Sequence, residues 1–313
     1  MKISVVIITY NRKEEIAQTI KSYEQQTYPD KEIIVIDNAS TDGTRELMRS
    51  DFPHIDYMWL PENFDIRSIN IGVERSTGDI IWRTDDDARP ESDDALGRVA
   101  GIMAEHPDIH IISMENIEVK SGNQITKWYP FEVDRQKVPP RGYPASAFHG
   151  TGAAIRREVF DRIGGFWEFG FEEIDFSARA LIAGFNIRYF PNIRMLHFNT
   201  PNPGFRSNRW LKLTNQLVRY QWKYFPFFRA AYRCTAVFLV QLLVGIMGRV
   251  SIGAMAEAFF SAPATMIHTF RNERMVPSRE KLAEITMGRS INHDLGRFFR
   301  DVAGRIKYKF RKK

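Results

Sequence analysis

At 313 residues the chain can hold one large domain, or one domain with an appendage, and its 43% hydrophobic and 26% charged content is that of an ordinary globular protein. Its single cysteine, Cys234, excludes an intramolecular disulfide framework and fits a reducing compartment. The net charge of +6 is unevenly spread: residues 206–313 carry 21 Lys and Arg against 6 Asp and Glu, while the rest of the chain is acidic, so the C-terminal part asks for an anionic partner.

The first element is the β-branched run Ile3–Thr9, too continuous for a half-exposed strand and therefore a central strand buried on both faces. It is too short for a signal h-region, and Asn11-Arg12-Lys13-Glu14-Glu15 follows in place of a cleavage site, so it opens a cytoplasmic protein. A helix then runs from Asn11 or Arg12 to about Gln25, with Ile16, Ile20 and Tyr23 on one face. Glu32–Ile36 is a second buried strand, 37–43 a turn, and a helix starts near Thr44. Tyr57–Leu60 is a third strand, Ile66–Glu74 a helix, and Ile80–Arg83 a fourth strand. This alternation predicts an α/β fold with a parallel sheet and helices on both faces. The stretch 91–205 is less regular. Ile109–Met114 and Asn186–Phe190 read as strands, Ala178–Ala183 as a helix, and Met195–Phe198 as a short apolar stretch.

The fourth strand delivers Asp85, Asp86 and Asp87. Three adjacent carboxylates at the end of a buried strand are costly unless a cation neutralises them, which suits a hard divalent metal that also holds phosphate oxygens. A polar turn helped by Pro90 is the plainer alternative. Parallel topology brings Thr9-Tyr10-Asn11 and Asp37-Asn38 to the same rim, where ligands of such sheets bind.

Five motifs in order resemble the family 2 inverting glycosyltransferases of GT-A fold, over about residues 1–200. They are Val5–Arg12, Val35–Thr44, Asn63 with Asn70-x-Gly72, Gly78-Asp79 through Asp85-Asp86-Asp87-Ala88, and Gly152 through Glu172-Glu173-Ile174-Asp175, with His197 closing the series. A looser similarity points to bacterial rhamnosyltransferase-type members. The resemblance implies that residues 1–90 bind a nucleotide sugar and that 91–205 hold the acceptor and catalytic part. Thr9, Asn11, Arg12, Asp37 and Asn70 would contact the donor. Asp37 would accept from a base imide N–H, which favours a UDP- or dTDP-sugar.

Asp85 and Asp87 match the outer residues of the family's DxD motif, with Asp87, Asp85 and His197 toward a Mg2+ or Mn2+ ion. Asp86 belongs to the same donor-contacting stretch, although strand alternation turns it the other way. Glu173 matches the catalytic base. The family more often has Glu-Asp where this chain has Glu172-Glu173, so Glu172 stays a second candidate; its alternative role is a helix N-terminal charge. Asp175 reads as structural, capping the helix that bears Arg179. His149 is taken as structural, and a core role is the alternative for His197. The implied reaction is a single displacement with inversion onto a hydroxyl of a glycan or lipid-linked acceptor, in cell-surface polysaccharide synthesis. A metal-dependent nucleotidyltransferase and a non-catalytic nucleotide-sugar-binding subunit are the competing readings.

Residues 206–313 form a basic, aromatic-rich helical region. Uncharged runs at Cys234–Gly248 and Ala258–Phe270 fall short of a membrane span, and with the Arg/Lys-rich tail 305–313 they fit an interfacial attachment at the inner face of the cell membrane. Packing against the catalytic domain or a second copy of the chain is the alternative. Nucleic acid is disfavoured, because the catalytic body is acidic and carries no recognition motif.

Overall fold

The computed structural model describes residues 1–120, 123–124, 133–198, 206–247 and 250–287. The tail at 305–313 lies outside them. Two compact units are distinguished, Met1–Gln216 and Leu217–Lys313.

The first unit is built on a ten-stranded sheet. Its strands are β1 (Ile3–Thr9), β2 (Lys31–Asp37), β3 (Asp56–Trp59), β4 (Ile80–Asp85), β5 (Ala88–Pro90), β6 (Ile111–Glu118), β7 (Asn123–Gln124), β8 (Tyr143–Pro144), β9 (Ala153–Arg156) and β10 (Ile187–His197). The order is β3-β2-β1-β4-β9-β6-β10-β5, with β7 on β6 and β8 on β10. β1 to β4 are mutually parallel as the alternation predicted. Beyond β4 the sheet is mixed: β9 runs antiparallel to both β4 and β6, and β5 antiparallel to β10.

Period-two burial explains why helices cover both faces. Ile3, Val5, Ile7, Ile33 and Val35 share one core with Ile16, Ile20 and Tyr23 of α1 (Lys13–Glu24) and Met48 of α2 (Thr44–Asp51). Ile34 and Ile36 face the other way, toward Ile71 of α3 (Ser68–Arg75). Gly72 lets α3 approach closely, since a Cβ there would lie 2.4 Å from Val6 Cγ1.

Three departures from the sequence reading fall between 91 and 205. A helix absent from that reading, α4 (Ala95–Glu105), buries Leu96, Val99, Ala100 and Met103, whose spacing is helical. After α5 (Arg157–Ile163), α6 (Glu172–Ile182) starts at Glu172, six residues before the expected Ala178. The two apolar stretches at 186–190 and 195–198 are one strand, β10, interrupted by a register shift between Phe190 and Arg194.

The helices α7 (Arg206–Tyr224), α8 (Phe227–Met247), α9 (Ile252–Asn272) and α10 (Arg279–Thr286) follow, and the division between units falls within α7. In the second unit Arg219 pairs with Glu273 through two hydrogen bonds of 2.6 and 2.8 Å, and Arg274 donates to the Trp222 and Phe225 carbonyls. Phe228, Tyr232, Leu239, Leu242 and Ile246 of α8 are exposed at helical spacing, as are Ile252, Phe259, Phe260 and Ile267 of α9. The stretch Phe227–Ile246 is long and apolar enough to cross a membrane, by length and composition. The uncharged run alone had fallen short because it begins at Cys234, whereas the helix takes in the residues from Phe227.

Candidate active site

The carboxyl ends of β1, β2 and β4 place Thr9, Asp37 and Asp85 on one rim. Of the three aspartates only Asp85 is open, with 30% of its side chain exposed. Asp86 is buried: Thr9 Oγ1 and Arg12 Nη1 each donate to it at 2.8 Å. Burial pushes its carboxyl up to about 7 in spite of Arg12. The same Arg12 nitrogen donates to Asp87 Oδ2 at 2.9 Å, and His197 Nε2 lies 3.4 Å from Asp87 Oδ1. Burial alone would lower His197, but Asp87 outweighs it and holds the imidazole above its ordinary value.

The other residues that the resemblance assigned to the donor are held by the chain itself. Asp37 is fully buried; Ser40 N donates to Oδ1 at 2.8 Å and Tyr57 OH to Oδ2 at 2.7 Å. A base imide can therefore join only as a second donor on an oxygen that already accepts one. Asn11 adopts φ 52 and accepts from Thr41 N at 2.7 Å, tying the β1 end to the β2 turn. Asn70 reaches the loop between α5 and α6, exchanging hydrogen bonds of 2.8 Å with both backbone groups of Phe166. Arg12 lies on Asp86 and Asp87.

Glu172 and Glu173 open α6 but differ in surroundings. Glu172 is buried and accepts from Gly170 N at 2.6 Å. Glu173 keeps 16% of its side chain exposed and sits 3.4 Å from Arg83 Nη1. Burial, then the charge of Glu172, pushes the Glu173 carboxyl above the usual range, with Arg83 pulling the other way. Asp175 does not cap α6, because the helix begins three residues before it; it accepts from Arg179 one turn on, at 2.8 Å. His149, read as structural, accompanies His197 at a ring separation of 6.4 Å, and its own Nδ1 lies 2.8 Å from Thr151 Oγ1. Arg83 entered the sequence reading only as the end of the fourth strand and not as a site residue, although a lone charge in the apolar run of a central strand was a visible signal.

Asp85 and Asp87 offer hard oxygens and His197 a nitrogen, and His197 Nδ1 is buried with no hydrogen-bond partner. Among the described residues no three His, Cys, Asp or Glu side chains converge as a ready-made metal cage. A cation shared between one or two carboxylates and substrate phosphates needs no such cage, so the donor set fits Mg2+ or Mn2+.

The family model described as "Glycosyl transferase family 2" matches residues 4–164. The probable glycosyltransferase YdaM of Bacillus subtilis is 25% identical over 205 residues, covering 61% of this chain and 49% of YdaM. The chain thus spans about half the length of that relative. The O-antigen chain rhamnosyltransferase RfbN of Salmonella typhimurium is 28% identical over 230 residues, covering 66% of this chain and 70% of RfbN. Among solved structures, a mannosyltransferase from Pyrobaculum calidifontis in complex with GDP-Man and Mn2+ superposes with a TM-score of 0.54 at 20% identity, covering 86% of this chain and 82% of that one. The fold is GT-A.

Proposed function

We propose, since this chain belongs to glycosyl transferase family 2, that it moves a sugar from a UDP- or dTDP-sugar to a hydroxyl of a glycan or lipid-linked acceptor, with inversion at the anomeric carbon. The observation that carries this reading is the pairing of Glu173, a carboxyl with a raised proton affinity, with Asp85 at the donor rim on either side of Arg83. Glu173 Oε takes the proton of the acceptor hydroxyl, and that oxygen attacks the anomeric carbon from the face opposite the diphosphate. The bond to the diphosphate oxygen breaks as the new glycosidic bond forms, and the nucleoside diphosphate leaves. Glu172 stays with Gly170 N, which supports Glu173 as the base. Asp85, Asp87 and His197 would hold the divalent ion, whose chemistry when bound is to neutralise charge on the diphosphate. Arg12 keeps Asp86 and Asp87 side by side by offsetting their repulsion.

The division of labour we propose is a nucleotide-sugar part at 1–90, an acceptor part at 91–205 and a membrane-associating region at 206–313. The membrane part is supported by the exposed apolar stripes of α8 and α9, flanked by the exposed Arg229 and Arg271. Apolar stripes with basic flanks suit an anionic bilayer surface at the inner face of the cell membrane. The test is thermal stabilisation by a panel of UDP-, dTDP- and GDP-sugars with Mn2+ and with Mg2+. Stabilisation by the uracil and thymine donors, growing with the ion, is expected; indifference to every nucleotide sugar overturns the reading.

A further inference from the structure

We propose that Arg83 is the positioning residue of this site, holding Glu173 at a fixed station relative to Asp85, in a space that only a glycine at position 150 leaves open. The inference rests on the assignment of Glu173 as the base.

Arg83 stands in the middle of the sheet, paired with Val6 of β1 on one side and Ala153 of β9 on the other. Its side chain is 2% exposed. A buried guanidinium is costly unless its donors are used. Two arginines of this unit, the buried Arg179 and the half-buried Arg157, follow that rule. Arg179 donates to Asp175, to the Ile163 carbonyl and to the Gly165 carbonyl at 2.6–2.8 Å. Arg157 donates to the Gly78 carbonyl and to Ser76 Oγ at 2.7 Å.

Arg83 does not follow it. Nε and Nη1 are buried without a hydrogen-bond partner. Its ion-pair partners among the described residues are two carboxylates on different elements: Asp85 Oδ1, 3.4 Å from Nη2, and Glu173 Oε1, 3.4 Å from Nη1. The guanidinium therefore straddles the donor end of β4 and the start of α6. Its carbon lies 5.9 Å from the centroid of the Phe166 ring, within an aromatic cluster in which Phe166 stacks on Phe176 at 4.5 Å. That cluster is apolar and offers the charge no hydrogen-bond acceptor, so the two carboxylates are what it can address.

The backbone of Gly150 closes over the pair. A Cβ at this position would fall 1.6 Å from Arg83 Nη1 and 2.1 Å from Glu173 Oε1. Both clashing atoms are ends of flexible side chains, so a methyl there displaces the pair while leaving the sheet intact. A planar fork spans two acids at once, whereas a lysine ammonium is a point charge that reaches one.

The experiment compares Arg83→Met, Arg83→Lys, Gly150→Ala, the double variant Gly150→Ala/Arg83→Met, and Glu173→Gln. Nucleoside diphosphate release is measured from UDP- and dTDP-hexoses, with n-octyl hexosides or water as acceptor. Arg83→Met is expected to lower kcat about 100-fold, the order of loss that follows a misplacement of about 1 Å, with donor KM little changed. Arg83→Lys recovers part of the rate. Gly150→Ala reproduces the loss in kcat, and the double variant is no worse than Arg83→Met alone, because both changes act on one pair. Wild-type kcat in Arg83→Met and Gly150→Ala, or a change confined to KM, overturns the inference while an inactive Glu173→Gln leaves the base assignment standing. An active Glu173→Gln removes the base assignment, and the inference with it. Where Arg83→Met fails to fold, Gly150→Ala decides.

Discussion

Arg12 Nη1 and Asp87 Oδ2 meet at 2.9 Å, and the same nitrogen lies 2.8 Å from Asp86 Oδ1. One cation thus serves the two buried members of the aspartate triplet and leaves Asp85 to the solvent side. Burial would lower the Arg12 guanidinium, but the two aspartates outweigh it and hold it above its ordinary value. Arg12→Ala strands two adjacent buried carboxylates, and a cost of about 3–5 kcal/mol is expected in urea unfolding. Adding Asp86→Asn to that variant should recover part of the loss, since it removes one of the two stranded carboxyl groups.

The rate of transfer should rise with pH. As the proposed base Glu173 would act only when ionised, and burial with the nearby Glu172 charge raises its pKa, so the ascending limb should lie above the ordinary carboxylate range. Glu172→Gln takes away a neighbouring negative charge and should move that limb to lower pH. The measurement is the pH dependence of transfer for the two proteins; an unmoved limb contradicts the electrostatic coupling.

Glu32 gives an acid-side stability effect away from the site. Burial would raise its pKa, but hydrogen bonds from Lys2, Ser4 and Thr77 outweigh burial and hold it at about 2, against 4.5 for the free group. A depressed carboxylate contributes stability that is complete above 4.5 and is lost as pH falls toward 2. Glu32→Gln should flatten that part of the curve of Tm against pH and leave the neutral side nearly parallel to wild type.

Gly72→Ala sets a helix-propensity gain of about 1 kcal/mol against a clash with Val6 Cγ1 at 2.4 Å. Overpacking of this kind costs about 1–3 kcal/mol, so a net loss of stability is expected in thermal unfolding. A stabilised variant contradicts the close approach of α3 to β1.

Charged substitutions on the apolar stripes should weaken membrane binding without touching the sheet. Phe228→Glu with Phe260→Glu is expected to abolish co-sedimentation with phosphatidylglycerol-containing vesicles while Tm and nucleotide-sugar stabilisation persist. Wild-type protein that ignores such vesicles and forms a dimer instead would show that the stripes pack against a second copy.

Much of the rim was legible in the sequence because β1, β2 and β4 are largely apolar runs ending in polar clusters, and a parallel sheet sends such ends to one edge. The hydrogen bonds inside the rim were not legible. That Asp37 is engaged by Ser40 and Tyr57, and that Arg12 lies across Asp86 and Asp87, depends on side-chain directions that strand order does not specify. The helix α4 was missed although the spacing of Leu96, Val99 and Met103 carries its signal, whereas the union of 186–190 with 195–198 was hidden by the irregularity between Phe190 and Arg194. Arg83 and Gly150 meet only through folding, since one is on β4 and the other in the turn before β9.

The most direct test of the central claim is to measure sugar transfer and donor binding side by side in Glu173→Gln. The amide keeps the shape of the side chain and cannot accept the acceptor's proton. Loss of transfer by about 100-fold or more, with thermal stabilisation by the nucleotide sugar retained, is the predicted result. Transfer at the wild-type rate by Glu173→Gln would contradict it.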